Sequence, residues 1–353
     1  MAVRHDKTGD LWGWQDAGAR RLVKEGKREL EKAYRSIGKL SPDKMGAAAD
    51  LARRIEEPQW ELFFRHWAVQ GWLYRDPRPL GDVLTHAERV KELADAPSAR
   101  GWAHKFCAHE DLWGTWLDLD GPGYAPRVAA EAAALVPRAR PALDCRSCLE
   151  LVRARALLGA GRVEDGEALC EKVVKAPRND QAWFAAMLIW ADAAWLAADA
   201  WAMGLLVKEL GKRLAGGSGL NPDSAWGLRL REVRWRVLQG RLSAAEAAAA
   251  KKKGSPPLAT ESVGILLALA HGHAGAGAAQ RARERAEEAL GSALKRGLRR
   301  HAAEACLAAA QACAALGDES AQARFAGRLG PLVARLMTRD LDEPARAVGA
   351  ALS

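Results

Sequence analysis

Residues that favour β-sheet are scarce in this chain. Among 353 residues there are five Phe and three Tyr, and Val, Ile and Thr are thinly spread. Strands draw heavily on those types, so extensive sheet is not expected. Signature motifs of common catalysts are missing as well. There is no G-x-S-x-G, no G-x-x-x-x-G-K-[ST], no H-E-x-x-H, and no G-x-G-x-x-G behind a strand. No enzyme and no cofactor is expected from these absences. The opening residues, "MAVRHDKTGDLW", hold no apolar stretch of the kind a secretory signal needs. The six cysteines are accordingly read as reduced thiols. Long hydrophobic runs are absent but for one, "AWFAAMLIWADAAWLAADAWAMGLL", from Ala182 to Leu206. It is long enough to span a bilayer. However, much of it is alanine, and Asp192 and Asp199 would each cost roughly 2.5–3.5 kcal/mol near a helix centre. Its few Leu and Ile residues do not offset both, so no membrane contact and a cytoplasmic location are expected.

What the chain does hold is alanine, leucine and arginine, with 49% of its residues hydrophobic. Ala, Leu, Arg, Glu and Lys are good helix formers, so the expected fold class is all-α. The Ala/Arg/Gly bias suggests a high-GC bacterium. The net charge is +9, and the isoelectric point lies near 9.4. A basic balance favours acidic partners, whether acidic peptides, nucleic acid or anionic surfaces.

Helical repeats are visible in two sets of markers. Trp60, Trp102, Trp183 and Trp226 each open a similar segment, at spacings of 42, 81 and 43 residues. Gly161, Gly240 and Gly317 each follow the end of a helical pattern, at spacings of 79 and 77. Both sets fit a unit of about 40 residues, within the range of helical repeats. The midpoint of the first glycine interval falls near Ala197, where Asp199 is available as a helix cap. Each unit therefore reads as helix, tight turn, helix. Gly supplies the left-handed residue that ends the first helix. Ser243 with Glu246, and Asp318, are the expected caps that start the second. Pro222 in "NPDSAW" starts another helix, and Gly297 ends one behind the cationic turn "KR".

The stretch "LVRARALLGAGRVEDGEALCEKVVKAPRNDQAWF", Leu151–Phe184, resembles the tetratricopeptide-repeat (TPR-like) superfamily. It has a small-residue helix, Gly161 at the turn, a second amphipathic helix, Pro177 at its end and Trp183 opening the next unit. Leu307–Leu329 is a second such stretch. The repeats are longer than the 34-residue standard, and Gly166 and Val173 stand where alanine is usual. The resemblance implies a right-handed α-solenoid of stacked antiparallel helix pairs, about seven in all, whose concave face holds a peptide or protein. Residues 1–57 are expected to form a basic helical cap or arm, because Arg20–Lys39 carries eight Lys/Arg against three Glu. Residues 58–353 are expected to form the solenoid.

Candidate chemistry is sparse. Trp183, Met187 and Trp190 share one helical face and Phe184, Leu188 and Trp195 another, which suits a helix packed on both sides. Cys145 and Cys148, with His104, Cys107 and His109, could make a tetrahedral zinc site, but the second C-x-x-C of a zinc ribbon is missing. Cys145 and Cys148 also suit an ordinary helix start, so no metal is assigned. His271 and His273 are placed in a Gly/Ala-rich turn, and "HAGAGAAQ" is read as a helix-to-helix turn. Asp118–Gly121 is read as an acidic turn, and Lys251–Lys253 as a helix C-terminus. Cys306 and Cys313 read as small core residues. Basic clusters give the clearest functional hint. On the helix near Trp226, the apolar face is Trp226, Leu230, Val233 and Val237. Arg231 and Arg234 flank it on one side, Arg229 and Arg236 on the other, and Trp235 lies opposite. Arg65 could extend the same surface. An arginine-lined groove would suit carboxylate-bearing peptides through bidentate hydrogen bonds, and the alternative is a set of solvated flanks. The expected function is a non-enzymatic interaction scaffold or regulatory protein. The second reading is a basic helical repeat that binds nucleic acid.

Overall fold

In the computed structural model of the chain, the residues described are 17–74, 76, 78–99, 105–139, 146–216, 220, 224–251 and 259–352. Among them there are sixteen α-helices and no strand. No helix among them is long and apolar enough to cross a membrane. Helices pack chiefly on their sequence neighbours. Two compact units divide the chain, one made of residues 1–76 and 82–112, the other of residues 77–81 and 113–353.

The first unit contains α1 (Ala17–Arg35), α2 (Pro42–Arg54), α3 (Pro58–Tyr74), most of α4 (Leu80–Asp95) and the start of α5 (Lys105–Leu135). Ser41 caps α2 by accepting from the Lys44 backbone N–H. Val23, Leu30, Ala49, Ile55 and Phe64 form a core, with Trp60 stacked on Phe64 at 5.7 Å. The break expected at residue 57 falls inside this unit. A side chain at Gly71 would meet the Pro42 ring at 2.5 Å, so α2 and α3 pack too closely to belong to separate bodies.

The second unit is built of helix hairpins. Its helices are α6 (Arg146–Gly159), α7 (Val163–Lys175), α8 (Asp180–Leu196), α9 (Ala200–Ala215), α10 (Ser224–Leu238), α11 (Leu242–Ala250), α12 (Ala259–Gly275), α13 (Ala279–Arg296), α14 (Arg299–Ala315), α15 (Glu319–Val333) and α16 (Asp342–Ala347). Within a hairpin, α6 packs on α7, α8 on α9, α10 on α11, α12 on α13 and α14 on α15. The even-numbered helices also stack in series, α6 on α8, α8 on α10, α10 on α12 and α12 on α14.

Every one of these hairpins turns on a left-handed residue: Gly161 (φ 75°), Ala198 (φ 53°), Gly240 (φ 68°), Gly277 (φ 73°) and Gly317 (φ 70°). In each, the residue after the turn donates five residues back, as Arg162 N does to Leu157 O and Asp199 N to Ala194 O. This is the Schellman closure, which satisfies the last carbonyls of the first helix. The turn expected near Ala197 is therefore real. Asp199 caps α9, accepting from Trp201 N and Ala202 N. Asp318 caps α15 in the same manner, and Gly297 ends α13 at φ 70°.

Three local expectations need correction. Ser243 is not a cap, because α11 begins one residue earlier, at Leu242; Glu246 instead bonds His273 and Arg285. His271 and His273 lie within α12, and the turn waits for Gly277. Asp118–Gly121 is part of α5, which breaks at Asp120 (φ −154°, ψ 77°). Pro122 and Pro126 follow, and neither can donate to a helical ladder, so the kink precedes them. Pro222 lies outside the described residues, as do Lys252 and Lys253.

The run Ala182–Leu206 is thus two helices with a turn between them. Phe184 and Met187 are buried, with Trp183, Leu188 and Trp190 packed around them. Trp201, by contrast, is 75% exposed at the start of α9. Leu230 and Val233 are buried with Trp226 and Val237 against them, as the α10 pattern indicated.

The two ends of the second unit meet. The Met337 backbone N–H donates to Asp120 Oδ2 at 2.8 Å, across 217 residues of chain. Gly123 sits in that contact, where a side chain would fall 2.7 Å from Met337 Cβ. Gly297 lies against the Leu80 backbone in the same unit.

Candidate functional site

One pocket of the second unit is lined by α5, α6, α8, α10, α12 and α14 alone. The second helices of the hairpins contribute nothing to it. Its volume is about 360 Å³. Because each hairpin closes with the same geometry, a given distance before the turn points the same way in each. Arg155, Asp192, Arg234 and His271 all line the pocket. Each stands six residues before its left-handed turn residue, respectively Gly161, Ala198, Gly240 and Gly277. The matching position in α14 is Gln311, which is exposed. There the pocket is reached nearer the helix start, by Arg300, His301 and Glu304.

Apolar walls come from residues such as Leu117, Leu158, Ile189, Trp195 and Leu267. The charges between them are largely paired. Arg155 bonds Asp118. Arg300 donates to Glu304 at 2.7 Å and to Asp340 at 2.8 Å, and it holds the Asp340 carboxyl down to about 2. Asp192 serves two cations, accepting from Arg231 and, at 2.6 Å, from Arg234. This half-buried acid is held by arginines of α10. The guanidinium of Arg234 also lies 5.3 Å from the Trp195 ring centre. Burial lowers its basicity, and the shared Asp192 opposes that only in part. Arg234 Nε and His301 Nδ1 are both buried and make no hydrogen bond. His271 and His301 are pushed below their ordinary value of 6.5, chiefly by burial, with the charge of Arg234 adding to the effect and Glu304 opposing it.

The six residues expected to form a binding surface are distributed among different settings. Arg234 lines the pocket, and Arg231 stands behind it, bonded to Asp192 and to the Gly227 carbonyl at 3.2 Å. Arg229 is buried, its guanidinium 4.0 Å over the Trp226 ring. Trp235 closes on α9, where a side chain at Gly204 would lie 2.8 Å from its Nε1, and Arg236 covers its ring at 4.3 Å. Arg65 belongs to the first unit. It is 3% exposed and bonded to Asp50, Glu61 and His86, so it is an internal ion-pair residue there and adds nothing to an exposed basic face. Its partners explain this: carboxylates on α2 and α3 draw a guanidinium inward.

Arg155, Arg300, His301 and Glu304 were not singled out from the sequence, and His271 was read only as a turn residue. The register six residues before each turn would have found Arg155 and placed His271 on the same side. No group of three metal-ligating side chains occurs among the described residues. His104 and Cys145 lie outside them, while Cys170, Cys306 and Cys313 are free thiols. Burial pushes the Cys170 thiol up to about 12 and Cys306 to about 11, which makes them inert core residues. No protein-family model and no curated protein matches the chain.

Proposed function

We propose that this protein is a non-enzymatic interaction scaffold or regulatory protein that holds a peptide or protein on a TPR-like repeat surface. In this reading the repeat array is right-handed, about seven helix pairs long, and works in the bacterial cytoplasm. The observation that carries it is the register of Arg155, Asp192, Arg234 and His271, one per hairpin, all turned to one side. Repeat arrays of this kind build their recognition surface from one helix of each pair. Polar side chains delivered at a regular pitch, between apolar walls, suit the alternating chemistry of a polypeptide. Acidic groups on the partner match the basic balance of the chain.

Nucleic acid is the weaker reading. The net charge of +9 favours it. The arginines of the pocket oppose it, since Arg155, Arg234 and Arg300 are engaged with carboxylates. Phosphate binding needs cations that are free to release counterions. Affinity purification of the tagged full chain from its native host, beside the Arg234→Glu variant, tests the first reading. A protein recovered with the wild type and lost with the variant is expected; recovery of the same proteins with both contradicts a role for this surface. Mobility shift of DNA and RNA at two salt concentrations tests the second, and no shift at low salt removes it.

A further inference from the structure

The pocket of the second unit is bounded by both ends of the hairpin series as well as one-sided. Met337 bonded to Asp120 joins the end of the hairpin series to the helix that precedes it. Helices α5 and α14 therefore line one pocket together with the helices between them. A volume near 360 Å³ lies at the small end of ligand sites, which span about 300–1,000 Å³. That is room for a small molecule and too little for a folded segment of chain. Apolar walls with a few convergent polar groups are the usual make-up of such a site.

The polar groups indicate which molecule. Arg231 and Arg234 share the Asp192 carboxylate, and Arg231 alone also reaches Glu261, at 4.0 Å. Arg234 Nε and His301 Nδ1 are buried and bonded to nothing. A buried donor left without an acceptor costs about 1–3 kcal/mol, more on a charged group, so an acceptor that reached them would be held firmly. The other charged groups that face them are engaged: Arg155 with Asp118, and Arg300 with Glu304 and Asp340. Asp192 and Glu304 stand in the same lining and would repel a second negative charge. One anionic group on an apolar body satisfies all of these constraints.

We propose that this pocket is a binding site for a small organic monocarboxylic acid, its carboxylate accepting from Arg234 and His301 and its apolar body lying against Ile189, Trp195 and Leu267. A cationic ligand is disfavoured because Asp192 and Glu304 already hold arginines. A dianion such as phosphate meets those same two carboxylates. Binding takes up protons. The charged groups around His271 and His301 are Asp118 from α5, Arg155 from α6, Asp192 from α8, Arg234 from α10, and Arg300 and Glu304 from α14. An added carboxylate offsets the charge of Arg234, which now lowers the basicity of both histidines. Affinity therefore rises as pH falls below 6.5, where these histidines take up protons.

Calorimetric titration of the full chain with phenylacetate and with hexanoate tests the proposal. Phenylacetamide, hexanamide and inorganic phosphate serve as comparisons. The acids are expected to bind at least tenfold more tightly than their amides and than phosphate, with net proton uptake at pH 6 in two buffers of different ionisation enthalpy. Arg234→Gln should weaken the acids tenfold or more, while Arg236→Gln, on the same helix but outside the pocket, leaves them unchanged. Should Arg234→Gln fail to fold, Ile189→Trp fills the pocket with its charges intact and should abolish binding. Equal binding of acids and amides, no binding of either acid, or equal loss in Arg234→Gln and Arg236→Gln overturns the proposal. Protein capture is a separate readout. Acid binding without any captured protein leaves the site and removes the scaffold reading, and the reverse result does the opposite.

Discussion

Asp192 is the residue on which the pocket's electrostatics turn. It is the carboxylate for both Arg231 and Arg234, whose side chains are 9% and 20% exposed. Removing one partner of a buried ion pair leaves the other charge uncompensated, at a typical cost of about 3–5 kcal/mol. Asp192→Ala should therefore lower the unfolding free energy by about 3 kcal/mol in chemical denaturation, and a loss below about 0.5 kcal/mol would show that water already serves both arginines. The two pocket histidines make a second prediction at this scale. Their basicity is lowered in the folded state, so the unfolded chain binds more protons below the ordinary His value of 6.5. Stability from these groups is fully present above that value and is lost as pH falls through their lower folded values. The melting temperature should drop between pH 7 and pH 5.5, and His271→Asn with His301→Asn should flatten that slope; an unchanged slope contradicts the assignment. In the sequence, Asp192 stood out as one of two charges in a long apolar run. His271 did not, because a Gly/Ala-rich context resembles a turn and only the Schellman closure at Gly277 shows that the helix continues.

At the scale of the element, the repeating unit is a helix hairpin closed by one left-handed residue. Four of the five are glycine and the fifth is Ala198, at φ 53°. A side chain there costs about 1 kcal/mol, since only glycine enters that region freely. Ala198→Gly is expected to stabilise the protein by about 0.5–1 kcal/mol, and a destabilisation would mean that the turn is held by something other than its backbone. Hairpin closure also explains what was legible beforehand. Gly161, Gly240 and Gly317 mark three turns by residue type, and Asp199 and Asp318 mark the helix starts behind them. The turn at Ala198 could only be placed by the interval, because alanine carries no turn signal. Ser243 misled for the opposite reason: a capping motif one residue inside a helix looks the same in sequence as one at its start.

For the second unit as a whole, closure through Asp120 and Met337 is the feature that no local pattern foretold. It joins residues 217 positions apart, and neither end belongs to a repeat motif. Asp120 Oδ2 accepts the Met337 N–H, so Asp120→Ala removes that acceptor. Amide exchange around Met337 should quicken tenfold or more in Asp120→Ala while the α12–α13 hairpin keeps its protection; unchanged exchange at Met337 would show that the ends are held by other contacts.

The repeat surface acts as a protein-binding surface only if a partner rests against the side that the first helices line. Leu196 lies on the rim of the pocket and is 59% exposed, while Leu294, on α13, is 43% exposed and away from the pocket lining. A photo-crosslinking amino acid placed at either position replaces an exposed side chain and leaves the core intact. Irradiated in the native host, the Leu196 variant should give a discrete crosslinked protein that the Leu294 variant does not give and that Arg234→Glu abolishes. Crosslinks equal at the two positions, or none at Leu196, would contradict a partner held on that surface.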